Sequence, residues 1–237
     1  MNLGYACISM ELSQPVKEGR KIIRERITTN RSMIKRTFQQ KGLAYASELA
    51  LENIKDLLKI LQWNEENDIK FYRMSSDIAP WHSEYEMEEL PDFEPIAASL
   101  ARSGELARKY GQRLTFHPGP FNKLTSPKPH VVMNTITDLE NHGKIMDMLG
   151  MPRTPYAKIN IHVGAHYNNK PMATDNFCRN FERLSDAVKT RLTVENDDKA
   201  SLYSTKELYD DIYKRIGIPI VFDYHHHQFC TGGQDEE

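Results

Sequence analysis

Cysteine is scarce in this sequence. There are three in 237 residues, Cys7, Cys178 and Cys230, far apart and with no CxxC spacing. An odd, scattered set gives neither a disulfide framework nor a zinc knuckle, and a reduced, cytoplasmic setting is the expectation. No apolar run approaches the ~20 residues that span a bilayer, so no membrane segment is expected. No basic stretch leads into a long apolar one at the start, so no secretory signal is expected either. The Walker and dinucleotide glycine patterns are missing, as are G-x-S-x-G and a Ser–His–Asp order. Their absence argues against phosphate-loop, Rossmann and serine-hydrolase chemistry. Net charge is small, −2 at pH 7, so overall charge does not advertise a nucleic-acid partner.

What the sequence does have is a recurrent strand ending. An apolar run from Ile218 to Phe222 stops at Asp223, and His225, His226 and His227 follow. A short, β-branched apolar run reads as a buried strand. The carboxyl end of a parallel strand is where α/β proteins place their chemistry. The same ending recurs upstream: Arg113-Leu-Thr-Phe runs into His117, Ile159-Asn-Ile into His162, and Leu192-Thr-Val into Glu195. Four successive strands ending in His, His, Glu and Asp-x-x-His predict a shared metal centre. Strand alternation predicts that of the three clustered histidines only His226 faces the metal.

Between these strands lie helical patterns. A strand over residues 3–8 leads to a basic segment, 17–36, with eight Lys and Arg against Glu18 and Glu25. This stripe reads either as a phosphate-backbone contact or as a solvated helix face and loop. Helices are predicted over 32–63, broken near Gly42, and over 95–110, 130–149, 172–189 and 204–215. A further strand is predicted over 69–74, and Ser204 or Thr205 is the expected cap of the last helix. Alternation of strand and helix predicts an α/β fold with a parallel sheet. Convergence of side chains from several strand ends favours a TIM-type (β/α)8 barrel over an open sheet. Six βα units are counted, so residues 1–237 are expected to form a single, incomplete barrel domain lacking the last two units.

Imidazole beside carboxylate favours zinc or manganese over calcium or magnesium. Glu195 has two oxygens and is suited to bridging two ions, as in-line attack at phosphorus requires. Metal-assisted hydrolysis is therefore the leading reading from the residues. A divalent-metal sugar isomerase of similar plan is the alternative, because it too places carboxylates and His at strand ends.

Six ordered stretches, spanning nearly the whole chain, resemble the ultraviolet-damage endonucleases, relatives of the endonuclease IV group. They are Leu3-Gly-Tyr-Ala-Cys7, Tyr72-Arg-Met-Ser-Ser-Asp77, Phe116-His-Pro-Gly119, Ile161-His-Val-Gly164, Thr193-Val-Glu-Asn-Asp197 and Val221-Phe-Asp-Tyr-His-His-His227. The resemblance implies a (β/α)8 barrel with up to three metal ions, most commonly Mn2+, with Zn2+ or Mg2+ as alternatives. It implies hydrolysis of the phosphodiester on the 5′ side of photoproducts and other distorting lesions in double-stranded DNA. His117, His162, Glu195, Asp223 and His226 are the implied metal ligands, with Glu195, His117 and His162 at the catalytic centre.

The family also probes the duplex with side chains. Tyr5 matches one such probe, and Pro120-Phe121 stands where the family has Gln-Tyr. Phe121 keeps an apolar wedge, while Pro120 lacks the amide. Ser9 replaces an Asn, and Ser83-Glu84 replaces a Ser-His pair, with His82 adjacent. Ligands that the family draws from its last two strands have no counterpart in residues 1–237, so weak or absent nuclease activity is the expectation for this stretch alone. A monomer, cytoplasmic or nucleoid-associated, completes the expectation.

Overall fold

The computed structural model describes residues 3–234. Residues 235–237, in the tail whose sequence reads as the start of a loop or a next helix, lie outside the described residues. The chain divides into two compact units: Met1–His117 with Lys144–Pro152, and Pro118–Gly143 with Arg153–Glu237.

In the first unit, β1 (Gly4–Ala6) leads into a two-stranded antiparallel ribbon, β2 (Val16–Glu18) and β3 (Lys21–Arg24). The basic segment is therefore partly a hairpin, not the helix face and loop expected for it. Helix α1 (Lys35–Glu66) follows, then β4 (Phe71–Met74), α2 (Phe93–Lys109) and β5 (Arg113–Phe116). β1, β4 and β5 pair in parallel, in that order.

Helix α1 is kinked where the sequence placed the break. Gly42 has φ 64°, ψ −159°, a conformation that only a residue without Cβ adopts readily. Beyond the kink the buried positions Ala46, Leu49, Ala50, Asn53, Ile54, Leu57, Leu61 and Asn64 step by three and four, forming one apolar stripe interrupted by two amides. Each fully buried Leu or Ile in this stripe stabilises by roughly 1.5–3 kcal/mol.

The second unit carries most of α3 (Pro129–Met148), whose last turn lies in the first unit, then β6 (Ile159–His162) and α4 (Lys170–Phe181). The short α5 (Asp186–Lys189) precedes β7 (Leu192–Glu195). Where one helix was expected over 172–189 there are two, because the chain breaks at Arg183–Ser185. Next come α6 (Thr205–Leu208), a π turn (Tyr209–Tyr213), α7 (Lys214–Ile216), β8 (Ile220–Val221) and α8 (Tyr224–His227). Ser204 caps α6 as expected: its hydroxyl accepts from the Glu207 amide while the Glu207 carboxylate accepts from the Ser204 amide. β6, β7 and β8 pair in parallel, in that order. Their core is Ile159, Ile161, Leu192 and Val194 against Leu139, Phe177, Phe181, Leu208 and Ile212.

Six parallel strands, three in each unit, thus match the six βα units counted in the sequence. One contact in the first unit gives a sharp test. A Cβ on Gly104 would meet the Leu149 carbonyl oxygen at 1.7 Å, and Arg108 one turn on donates to that same oxygen at 2.6 Å. Substitution Gly104→Ala must push α2 away from this turn and is expected to cost about 1–3 kcal/mol or more. Chemical denaturation will show it as a fall in midpoint; an unchanged midpoint would contradict this packing.

Candidate metal centre

The second unit holds four of the five expected ligands. The parallel register sets Asn160 beside Thr193 and His162 beside Glu195. Side chains two apart on a strand share a face, so Asn160 and His162 lie on the same side of β6, and Thr193 and Glu195 on the same side of β7. Glu195, Asp223 and His226 each offer a ligand atom, all within 4.8 Å of one another. His162 stands against this group, its ring centroid 5.5 Å from that of His226.

Each of these side chains is held by neighbours. The Thr193 hydroxyl donates to the Asn160 carbonyl oxygen at 2.6 Å, and the Asn160 amide donates to Glu195 Oε2. That leaves Glu195 Oε1 3.5 Å from His226 Nδ1. His226 Nδ1 also lies 2.9 Å from the Asn196 carbonyl. A carbonyl only accepts, so Nδ1 carries the proton and the Nε2 lone pair is available to a metal. Asp223 Oδ1 accepts from the His226 amide at 3.0 Å, as the cap of α8. Asn196 fixes Asp223 from the other side: its amide donates to the Asp223 carbonyl at 3.0 Å, and its carbonyl oxygen accepts from the Asp223 amide at 2.7 Å.

Two oxygen donors and one imidazole, oriented and half-buried to buried, form a donor set that fits a divalent ion. Asp197 adds a further carboxylate, its Oδ1 3.4 Å from His162 Nδ1. Burial pushes the Asp197 carboxyl up to about 6. The charges of Asp198 and Glu195 act in the same direction; the Tyr203 amide and His226 oppose it.

Three residues that matter here were not assigned in advance: Asn160, Asn196 and Asp197. The sequence carried a signal for each. Asn160 lies two before His162 on the strand, and the other two follow Glu195 directly. The reason given for setting aside His225 and His227 changes as well. Residues 224–227 form a helical turn, not a strand, so alternation does not apply. His225 is exposed and His227 is buried.

His117 directly follows β5 in the first unit and is half-buried. Phe121 is 85% exposed on the loop after it, and Pro120 is exposed too. Glu84 is exposed, while Ser9 is buried and accepts from the Leu12 amide at 3.3 Å. Tyr5 is half-buried. Its ring sits edge-on to Trp63 and against Tyr72, its hydroxyl donates to Asn64 Oδ1 at 2.9 Å, and burial pushes it up to about 12.

All 237 residues match the model of the family described as UV-endonuclease UvdE. The chain belongs to that family. A UV-damage endonuclease of Schizosaccharomyces pombe is 34% identical over 232 residues, 97% of this chain and 37% of that protein. A UV DNA damage endonuclease of Bacillus cereus strain B4264 is 40% identical over 178 residues, 74% of this chain and 54% of that protein. The chain thus spans about a third to about half the length of these relatives.

Among solved structures, SacUVDE superimposes with a TM-score of 0.82 at 27% identity, covering all of this chain and 73% of that one. A D-psicose 3-epimerase from Clostridium cellulolyticum H10 superimposes with a TM-score of 0.55 at 11% identity, over 75% of this chain and 61% of that one. The second likeness concerns the fold alone. Together with the six parallel βα units they establish the α/β, TIM-type barrel plan. Among the described residues no helix is long and apolar enough to cross a membrane.

Two outcomes test the site. Substituting Asn160 with Ala removes the donor to Glu195 and should weaken Mn2+ binding by about 10- to 100-fold, with secondary structure unchanged by circular dichroism. Equal affinity in a titration followed by electron paramagnetic resonance would remove Asn160 from the site. The raised Asp197 pKa gives the second. Its neutral form is favoured in the fold, so this contribution to stability is present below about pH 4 and is lost as pH rises through about 6. In the metal-free chain, Asp197→Asn should flatten the fall in stability between pH 4 and 6; an identical pH profile would show that burial does not act on this group.

Proposed function

We propose that the chain carries the metal-binding part of a DNA repair endonuclease, which hydrolyses the phosphodiester 5′ to ultraviolet photoproducts and other distorting lesions in duplex DNA. The observation that carries this reading is the convergence of Glu195, Asp223 and His226 on one point at the carboxyl ends of parallel strands, in a member of the UvdE family. His162 and, from the end of β5, His117 complete the proposed ligand set. Manganese is the proposed ion, with zinc or magnesium as alternatives. When bound, such ions supply a water of lowered pKa and positive charge for the leaving oxygen.

The chain's own residues supply the orientation. Asn160 and Thr193 fix Glu195, Asn196 fixes both Asp223 and the proton of His226, and Asp197 faces His162. Phe121, exposed on the loop after His117, is the proposed wedge at the lesion, where an aromatic face stacks on an unpaired base. Tyr5 is proposed as a second contact to the damaged duplex. The protein is proposed to act as a monomer, in the cytoplasm or at the nucleoid.

The test combines metal and DNA. Glu195→Gln should lower Mn2+ affinity at least 10-fold while leaving duplex binding within about 2-fold. Incision of a duplex bearing one photoproduct is expected to be weak or absent in this stretch alone; any incision should fall on the 5′ side of the lesion and should disappear with chelator or with Glu195→Gln. Cutting that persists in chelator, or a chain that binds no Mn2+, would overturn the proposal.

A further inference from the structure

We infer that the β2–β3 ribbon is a duplex-backbone contact, a sequence-independent arm that grips phosphates away from the reacting bond; this rests on the DNA-directed reading above. All ten residues from Gln14 to Ile23 are exposed, so neither face of the ribbon packs on the first unit. A two-stranded ribbon with no core gains little from itself. Its base is nevertheless fixed. The Arg24 guanidinium donates to the Glu11 and Gln14 carbonyls at 3.0 and 3.3 Å, the Ile27 amide donates to the Leu12 carbonyl, and the Thr28 amide donates to Asp56. A tied base under a bare tip makes an arm about 10 Å long, from three paired positions at ~3.3 Å each.

The tip is cationic. Lys17, Arg20 and Lys21 stand against Glu18 alone, and among the described residues none of the three cations makes an ion pair. Gly19, with φ 61°, lets the turn close in two residues and puts Arg20 at its apex. The ribbon also leaves from the end of β1 that bears chemistry. The chain exits the carboxyl end of β1 and returns past the carboxyl end of β4, where the Ser75 hydroxyl donates to Asn30 and Thr29 meets the Tyr72 hydroxyl at 2.9 Å. That is the same end of the parallel strands at which His117 follows β5. Unpaired Lys and Arg on an exposed ribbon, rising at the strand ends that carry a metal ligand, are complementary to a phosphate backbone.

The experiment measures undamaged-duplex affinity by fluorescence anisotropy across a range of salt, for the full chain and for K17Q/R20Q/K21Q. Each phosphate contact contributes about 0.9 to the slope of log K against log salt. The triple variant should flatten that slope by about 2–3 and weaken binding 10-fold or more at low salt. Its melting temperature should match the parent's, because the replaced side chains touch no core. A charge-retaining control, K17R/K21R, should keep the parent slope. Parent-like slope and affinity in the triple variant would overturn the arm while leaving the endonuclease reading intact. A parent chain that binds no duplex at any salt would overturn both.

Discussion

The site depends on register. β6 and β7 run parallel with Asn160 level with Thr193 and His162 level with Glu195. Because side chains alternate along a strand, a slip of one residue in either strand would turn its pair to the opposite face. The register is held by apolar burial on that opposite face. Ile159, Ile161, Leu192 and Val194 occupy the alternate positions and are almost fully buried. Apolar packing on one face therefore sets the geometry of the polar residues on the other, and the candidate metal donors inherit their alignment from the core.

The donors then need fine orientation, which the strands alone do not give. A carboxylate at a strand end has free rotamers, and for Glu195 the Asn160 side chain removes that freedom. The Asn196 side chain holds the backbone of Asp223, while its backbone carbonyl holds the ring of His226. Neutral amides suit this task because they orient their partners without adding charge that would compete with a bound cation. Asp197 differs in being ionisable and buried, and its raised pKa reflects chiefly the cost of burying a charged carboxylate, with the charges of Asp198 and Glu195 adding to it.

Much of this was legible in the sequence, and the failures have physical causes. Strand ends at His162 and Glu195, and at His117 one residue beyond the observed end at Phe116, were readable because an apolar run stopped at a polar residue, and the kink at Gly42 was readable because glycine is costly in mid-helix. The region 172–189 was misread as one helix because periodicity continues across Arg183–Ser185 while the backbone does not. The ribbon at 16–24 was missed for a different reason. Both of its faces are exposed, so no alternation of apolar and polar residues marks it. The two orienting asparagines lay beside assigned ligands, Asn160 two before His162 and Asn196 directly after Glu195, but the partners they bond leave no periodic trace.

Strand β8 is only two residues long, and the ladder to β7 ends at Val221. Beyond it, the Asn196 side chain takes over, giving and accepting one bond with the backbone of Asp223 much as another peptide unit would. Backbone pairing survives almost any side-chain replacement; this extension of it does not. The placement of one candidate metal donor is thus written in a single codon, and a change there can retune the candidate centre while the fold that carries it stays as it was.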